Sequence, residues 1–361
     1  MTQEDDTRSA VDAAETWLVL LDCNLAAWSL HGRDTLPNAV DGLLVLLRAF
    51  CLLHRGNRLI WLGYREAGRA EYFLLPSSEA TEEQTGAVET LEALDDEIGL
   101  VRSVVEFASA DSATNTTAPG DADAAVVVRP STLALALSLG LCALHARGWL
   151  TRSSAWDGRD WAPSTGDASA PLVSTSAATP RVRCLVVSSP APDDPAQLVS
   201  VMNAAIRAQH AQMVIDVLRW VVRPSDAPAA AASTCSAFLQ QCAFLTNGVY
   251  IECDGSFADA MSELLAQVLP STATRALLLP PPTSTPSGRR PAPAEHGPRA
   301  RVVHDVDLRA TCFATGDKVE LGYVCSCCLS VFASPRAVCA TCQAPFADRS
   351  DVDAAPASTA P

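Results

Sequence analysis

The feature that most limits how this chain can fold is a rhythm. Short apolar runs of strand length alternate with longer segments of helical period across some 260 residues. The rhythm begins at Trp17-Leu18-Val19-Leu20-Leu21, an apolar run that ends on Asp22. A run with no polar position has no solvent face, so it reads as a strand buried on both sides, with a capping or functional residue at its carboxyl end. Pro37 to Leu53 follows as a helix, with Pro near its start and Gly56 just beyond its end. Arg58–Tyr64 and Glu71–Leu75 read as a hairpin around Glu66-Ala67-Gly68-Arg69. Glu82 to Phe107 has the period of one helix with an acidic face, and Ser131 to Arg147 that of an apolar one. Cys184–Val187, Met213–Leu218 and Val249–Cys253 then read as strands. Between and after them come helices over Asp193–His210, with Asp193 or Asp194 as cap, Cys235–Leu245 and Ser256–Leu269, the last stopped by Pro270. Strands alternating with helices predict an α/β fold, a mostly parallel sheet covered on both faces.

Other segments cannot join such a sheet. Residues 108–124 and 151–180 are rich in Ser, Thr, Ala, Gly, Pro and Asp, and read as disordered insertions that bury too little apolar surface to order themselves. The Pro-rich, Arg-bearing stretch 276–301 reads as a linker. The expected organisation is a sheet domain over 15–275, the linker, and a small module over 302–348. Charge divides at the same place: from Arg275 onward there are 9 basic and 8 acidic residues, net +1, so the first 274 carry 17 basic against 33 acidic, net −16. The larger part is thus a poor candidate for wrapping a phosphate backbone by itself. No export signal opens the chain, since residues 1–15 are polar and acidic, and no run of about 18 uninterrupted apolar residues reads as a membrane span.

In such a compartment scattered cysteines are reduced small hydrophobes, and clustered ones are metal ligands. Of thirteen cysteines, five crowd into 325–342. Cys325-Ser-Cys-Cys328 and, ten residues later, Cys339-Ala-Thr-Cys342 form two Cys-x-x-Cys knuckles, the spacing with which two pairs of thiolates converge tetrahedrally on a structural Zn²⁺. Four thiolates saturate the metal and leave no open position for a catalytic water. Cys327 is the competing ligand, and the two-residue spacing favours Cys328. Too few further ligands lie nearby for an eight-ligand RING.

Asp22-Cys23-Asn24-Leu25-Ala26 stands at the end of the first strand. In von Willebrand A domains this place carries Asp-x-Ser-x-Ser, whose oxygens hold a divalent cation. Here Asn24 and Ala26 replace the serines, which removes hard-cation ligands and leaves Asp22 as a loop or capping residue. No phosphate loop, nucleophile elbow or His-Glu-x-x-His occurs, Lys318 is the single lysine, and His54, His145 and His210 fall at or near predicted helix ends, where they complement the dipole. An enzyme is the least supported class.

These features together resemble one family, the 34-kilodalton von Willebrand A subunits of the general transcription and DNA-repair factor TFIIH. The resemblance is carried by Leu21-Asp22-Cys-Asn24, Cys142-Ala-Leu-His145, Arg183-Cys-Leu-Val-Val, Val201-Met-Asn-Ala-Ala-Ile, Ile215-Asp-Val-Leu, Gly248-Val-Tyr-Ile251 and Leu278-Leu-Pro-Pro-Pro282. Its most specific part is Arg309-Ala-Thr-Cys312-Phe, followed by Gly322-Tyr-Val-Cys325-Ser-Cys-Cys328-Leu-Ser-Val-Phe332 and the second knuckle. Ala314 and Thr315 stand where family members can carry a further Cys and His, which argues against a second metal site. The resemblance implies a von Willebrand A-like, Rossmann-like sheet domain with a small Cys₄ zinc finger on Cys325, Cys328, Cys339 and Cys342. It also implies a nuclear, non-enzymatic scaffold subunit of the TFIIH core, acting in RNA polymerase II transcription initiation and nucleotide excision repair. Its expected partner is the larger von Willebrand A/zinc-finger subunit, which contacts the repair helicase, with DNA met only indirectly through the complex and no membrane. The competing expectations are a zinc-finger nucleic-acid binder, weak because the chain from Arg275 onward is nearly neutral, and a cation-dependent adhesion-type domain.

Overall fold

A computed structural model of the chain describes residues 14–76, 86–110, 128–150, 181–221, 236–271, 274–275, 300–303, 309–315, 318–328 and 330–346. The expected insertion 151–180, residues 111–124 of the other insertion and residues 276–299 of the linker lie outside these.

The opening apolar run becomes β1 (Glu15–Asp22), buried along its whole length. A short helix, α1 (Leu25–Trp28), follows, and then α2 (Thr35–Leu53). By length and composition α2 is apolar enough to cross a membrane. Its Leu36, Val40, Leu43, Leu47 and Phe50 are instead buried in the sheet core. Strands β2 (Arg58–Arg65) and β3 (Arg69–Leu74) form the expected hairpin, reversing through Ala67 and Gly68 at φ of 61° and 70°.

The single helix expected over 82–107 is two, α3 (Gly86–Asp95) and α4 (Glu97–Ser109). Asp96 divides them because its carboxylate accepts the Gly99 N–H, capping the second helix instead of continuing the first. Beyond α5 (Leu133–Ala146), β4 (Arg181–Ser188) leads to α6 (Leu198–His210), which starts later than expected. Asp194 caps only the turn before it, accepting the Ala196 N–H at 3.0 Å. Asp193 serves a different helix, accepting from the Ser236 hydroxyl at 2.5 Å and the Phe238 N–H at 3.3 Å where α7 (Ala237–Leu245) begins. Strand β5 (Val214–Trp220) precedes α7, and β6 (Tyr250–Cys253) and α8 (Phe257–Glu263) follow it.

The sheet takes a seventh strand, β7 (Ala300–Val302), antiparallel to β6. Residues 300–301 were expected in the linker and 302 in the small module. The expectation fails because three residues are too few to show a period, and the strand is held by the edge of β6 rather than by its own pattern.

Strand order is β3-β2-β1-β4-β5-β6-β7, with β2, β1, β4, β5 and β6 parallel and the two edges antiparallel. This is the doubly wound arrangement of the von Willebrand A-like, Rossmann-like class. The chain runs from β1 outward to β2 and β3 and then crosses back to β4 on the other side of β1, so connections leave the sheet in opposite directions beside β1 and open a crevice at the carboxyl ends of β1 and β4. Alternation along β1 splits the core in two. Trp17, Val19 and Leu21 face α2, α4 and α8, while Leu18 and Leu20 face α5, α6 and α7. One glycine permits a close approach: a Cβ on Gly248 would stand 1.8 Å from the Ile215 carbonyl oxygen of β5. The obstacle is backbone, so Gly248→Ala is expected to cost about 3 kcal/mol, read as a lowered urea midpoint.

The amino end of the sheet is closed by buried charge. Arg183 donates to Glu15 Oε2 at 3.0 Å and Asp216 Oδ2 at 3.3 Å, and lies 5.0 Å from the Trp17 ring centroid. Arg275 meets both Asp216 oxygens, at 2.7 and 2.6 Å, and both arginines donate to the Val268 carbonyl. The π-helical turn that follows α8 (Leu264–Val268) is thereby pinned under the sheet.

Candidate functional site

At the carboxyl end of β1, Asp22 is 1% exposed and its carboxylate is surrounded by donors. Oδ1 accepts the Asn24 N–H at 3.1 Å and the Ser131 hydroxyl at 2.7 Å. Oδ2 accepts the Ser189 hydroxyl at 2.5 Å and its N–H at 3.3 Å. An ionised carboxylate offers about four lone-pair sites, and all are taken. Burial raises the Asp22 pKa above its usual value, while the Ser189 and Ser131 hydroxyls, the Asn24 N–H and the Arg219 guanidinium pull it back. Burial likewise pushes up the neighbouring Cys23 thiol and Tyr64 phenol.

Asp22 was expected as a loop or capping residue; it is instead the last residue of β1, and its carboxylate holds three loops together. Asn24 strengthens the tie: its Oδ1 accepts the Ala27 N–H to cap α1, and its Nδ2 donates to the Arg129 carbonyl at 2.8 Å and Ser131 Oγ at 3.2 Å. Arg219, on β5, donates to Ser188 Oγ and the Ser189 carbonyl, each at 2.9 Å, and to the Ala191 carbonyl at 2.6 Å. Ser131, Ser189 and Arg219 escaped sequence reasoning because they arrive from three separate segments with no local spacing to mark them. Residues that fit a divalent cation would present free oxygens, and these do not. Removing one hydroxyl by Ser189→Ala should cost about 1–2 kcal/mol, measured by urea unfolding.

The second centre lies in the small C-terminal module. Two short hairpins frame it: β8 (Ala310–Thr311) with β9 (Lys318–Val319), and β10 (Tyr323–Val324) with β11 (Val331–Phe332). Each knuckle closes on a backbone bond at its first cysteine, Cys325 N–H to the Ser330 carbonyl at 2.9 Å and Cys339 N–H to the Ala344 carbonyl at 2.8 Å. The sulfurs of Cys325, Cys328, Cys339 and Cys342 all lie within 4.8 Å of one another. Cys325 to Cys342 is 3.7 Å and Cys328 to Cys339 is 3.6 Å. Together these residues could hold a metal ion. Cys327 is exposed and stands outside the group.

Their protons are unevenly held. The Ser330 hydroxyl and N–H bring the Cys328 thiol down to about 6. Burial pushes the Cys339 thiol up, but the N–H groups of Cys342 and Thr341 bring it down on balance. At Cys342 the Ala344 N–H pulls down, and crowding by the other thiols carries it up to about 12. A cation is what would let all four be thiolates at once. Cys312 is also buried in the module, with its sulfur accepting the Ala333 N–H at 3.3 Å, but it does not join the four.

Fold and sites together define the class: a von Willebrand A-like sheet domain whose carboxyl end is closed by its own hydrogen bonds, followed by a four-cysteine module. The sequence pattern of the family described as Transcription factor Tfb4 matches residues 15–287 and 299–343, and the chain belongs to that family. It is similar to the Arabidopsis thaliana general transcription and DNA repair factor IIH subunit TFB4, 32% identical over 182 residues that make 50% of this chain and 48% of the relative. General transcription factor IIH subunit 3 of Dictyostelium discoideum is 30% identical over 168 residues, 46% of this chain and 37% of the relative. The chain thus spans about half or less of the curated relatives it matches. Among solved structures, the TFIIH p34 N-terminal domain gives a TM-score of 0.43 at 20% identity, over 71% of this chain and 98% of that one.

Proposed function

We propose that the chain is a non-enzymatic scaffold subunit of the TFIIH core, acting in the nucleus in RNA polymerase II transcription initiation and nucleotide excision repair. The observation that carries this reading is the family match running through both the sheet domain and the module. The names of the relatives point to transcription and repair. The chemistry is in keeping with a structural part, since the buried carboxylate at the sheet crevice is fully engaged in tying loops. The work is then done by surfaces, chiefly against the larger von Willebrand A/zinc-finger subunit, with DNA reached through the complex. Co-expression of the full chain with that subunit is expected to yield a complex stable through gel filtration. Separate elution of the two proteins counts against the reading.

The module's metal is proposed to be one structural Zn²⁺ on Cys325, Cys328, Cys339 and Cys342. Four sulfurs about 2.3 Å from a central Zn²⁺ stand about 3.8 Å apart, close to the 3.7 and 3.6 Å found here. Such a metal supplies cross-linking and no reaction chemistry. Purified chain is expected to contain one zinc per molecule. Within this reading the chain has two folding units, the sheet domain and the module, with residues 276–299 between their main parts and β7 closing the sheet.

A further inference from the structure

The carboxyl end of β1 is where a von Willebrand A sheet holds its divalent cation, and the disagreement at this place is specific. The Asp22 carboxylate already accepts four hydrogen bonds. What remains is a cavity of about 30 Å³ whose lining includes Asp22, Tyr64, Ser131, Ser188 and Arg219. That is room for about one water, whereas Mg²⁺ keeps several waters and demands near-octahedral oxygen geometry. A positive charge does line the cavity. The Arg219 guanidinium is 2% exposed and reaches the same small space from the neighbouring strand β5. It bridges Ser188 Oγ, the Ser189 carbonyl and the Ala191 carbonyl. Those bonds fix the turn after β4, and the turn is what presents both the hydroxyl and the N–H of Ser189 to Asp22.

We propose that the Arg219 guanidinium takes the place of the divalent cation, neutralising Asp22 and tying the carboxyl-end loops together without metal. Two consequences follow. These loops are held in one arrangement at any Mg²⁺ or Ca²⁺ concentration, so this end of the sheet is not a cation-gated surface. Restoring the missing serine hydroxyls is also insufficient to recreate a cation site, because a fixed positive charge already occupies the space. Arg219 acts here as a positioning residue, through Ser189.

The test uses full-length protein and Mn²⁺ as the probe. The Asn24→Ser/Ala26→Ser variant restores the two hydroxyls with Arg219 in place, and its melting midpoint is expected to be unmoved by Mn²⁺. Adding Arg219→Met to those two substitutions is expected to create binding, raising the midpoint by about 4 °C at ten times Kd. A matching rise without the Arg219 change, or no rise with it, overturns the proposal. Loss of Arg219 removes bonds as well as charge, so Arg219→Lys in the same background is a second variant. It keeps the positive charge and is expected to show no Mn²⁺ response, and a response there overturns the proposal too. Wild-type protein supplies a check that needs no variant: it is expected to leave the electron paramagnetic resonance signal of free Mn²⁺ undiminished at equimolar concentration, and quenching of that signal counts against Arg219 as the resident cation.

Discussion

A metal held by Cys325, Cys328, Cys339 and Cys342 would be the module's main support, and its chelation is expected to unfold residues 309–346 while the sheet domain keeps its melting transition. The apolar interior of the module is very small. Phe332 and the sulfurs of Cys312, Cys325 and Cys339 are its buried members, with Phe313, Val319 and Phe346 packed at the margin. Its strands are two residues long. A piece of under about 40 residues does not hold itself by such a core. A metal on the four sulfurs would supply the missing stabilisation, worth about 10–16 kcal/mol in isolated fingers near neutral pH. Cys339→Ser should have the same effect as chelator, since removing one sulfur opens the tetrahedron. Acid should mimic both, because each proton gained by a ligand sulfur is affinity lost and binding weakens as pH falls. The measurement is amide hydrogen exchange with and without chelator. Amides of 310–346 should lose protection when one metal per chain is released, and those of β1 and β4 should not. A module still protected after the metal has gone would remove the finger from the reading.

How much of this was open to view in the sequence depended on distance along the chain. The knuckles are legible because a metal site of this type is local: both members of each pair sit three positions apart, and spacing alone brings their sulfurs together. The parallel strands are legible because burial on both faces removes every polar position from runs such as Trp17–Leu21. What was hidden lacks a local signature. Asp96 divides one helical period into two helices with a single carboxylate, and nothing before it announces the break. Strand β7 exists only because β6 has an open edge. The crevice shows the limit most plainly. Asp22 was found, but its partners Ser131 and Ser189 lie 109 and 167 residues away, and only the fold brings them to it. The same is true of Arg183, just before the expected strand 184–187, and Asp216, inside the expected strand 213–218, until the sheet sets them side by side.

That buried pairing gives the largest single-residue effect expected in the sheet domain. Asp216 is 1% exposed and accepts from Arg275 through both oxygens, from Arg183 at 3.3 Å and from the Val249 N–H at 3.0 Å. Replacing it by Ala would leave Arg275 buried with no carboxylate partner and Arg183 with Glu15 alone. Breaking a buried pair by removing one partner costs about 3–5 kcal/mol, since the remaining charge has lost its compensation away from water. The surface offers the contrast. Arg48 also meets two carboxylates, those of Glu97 and Asp95, but both are well exposed. An exposed pair of this type is worth about 0–1 kcal/mol, so Glu97→Ala should shift the midpoint little. Asp216→Ala should therefore unfold at much lower urea than either wild type or Glu97→Ala. Replacing the whole buried set with apolar residues of similar volume should recover part of the loss, because desolvation is then no longer opposed by an incomplete set of partners. Equal effects of the Asp216 and Glu97 substitutions would show that the buried network does not anchor the π-helical turn after α8 beneath the sheet.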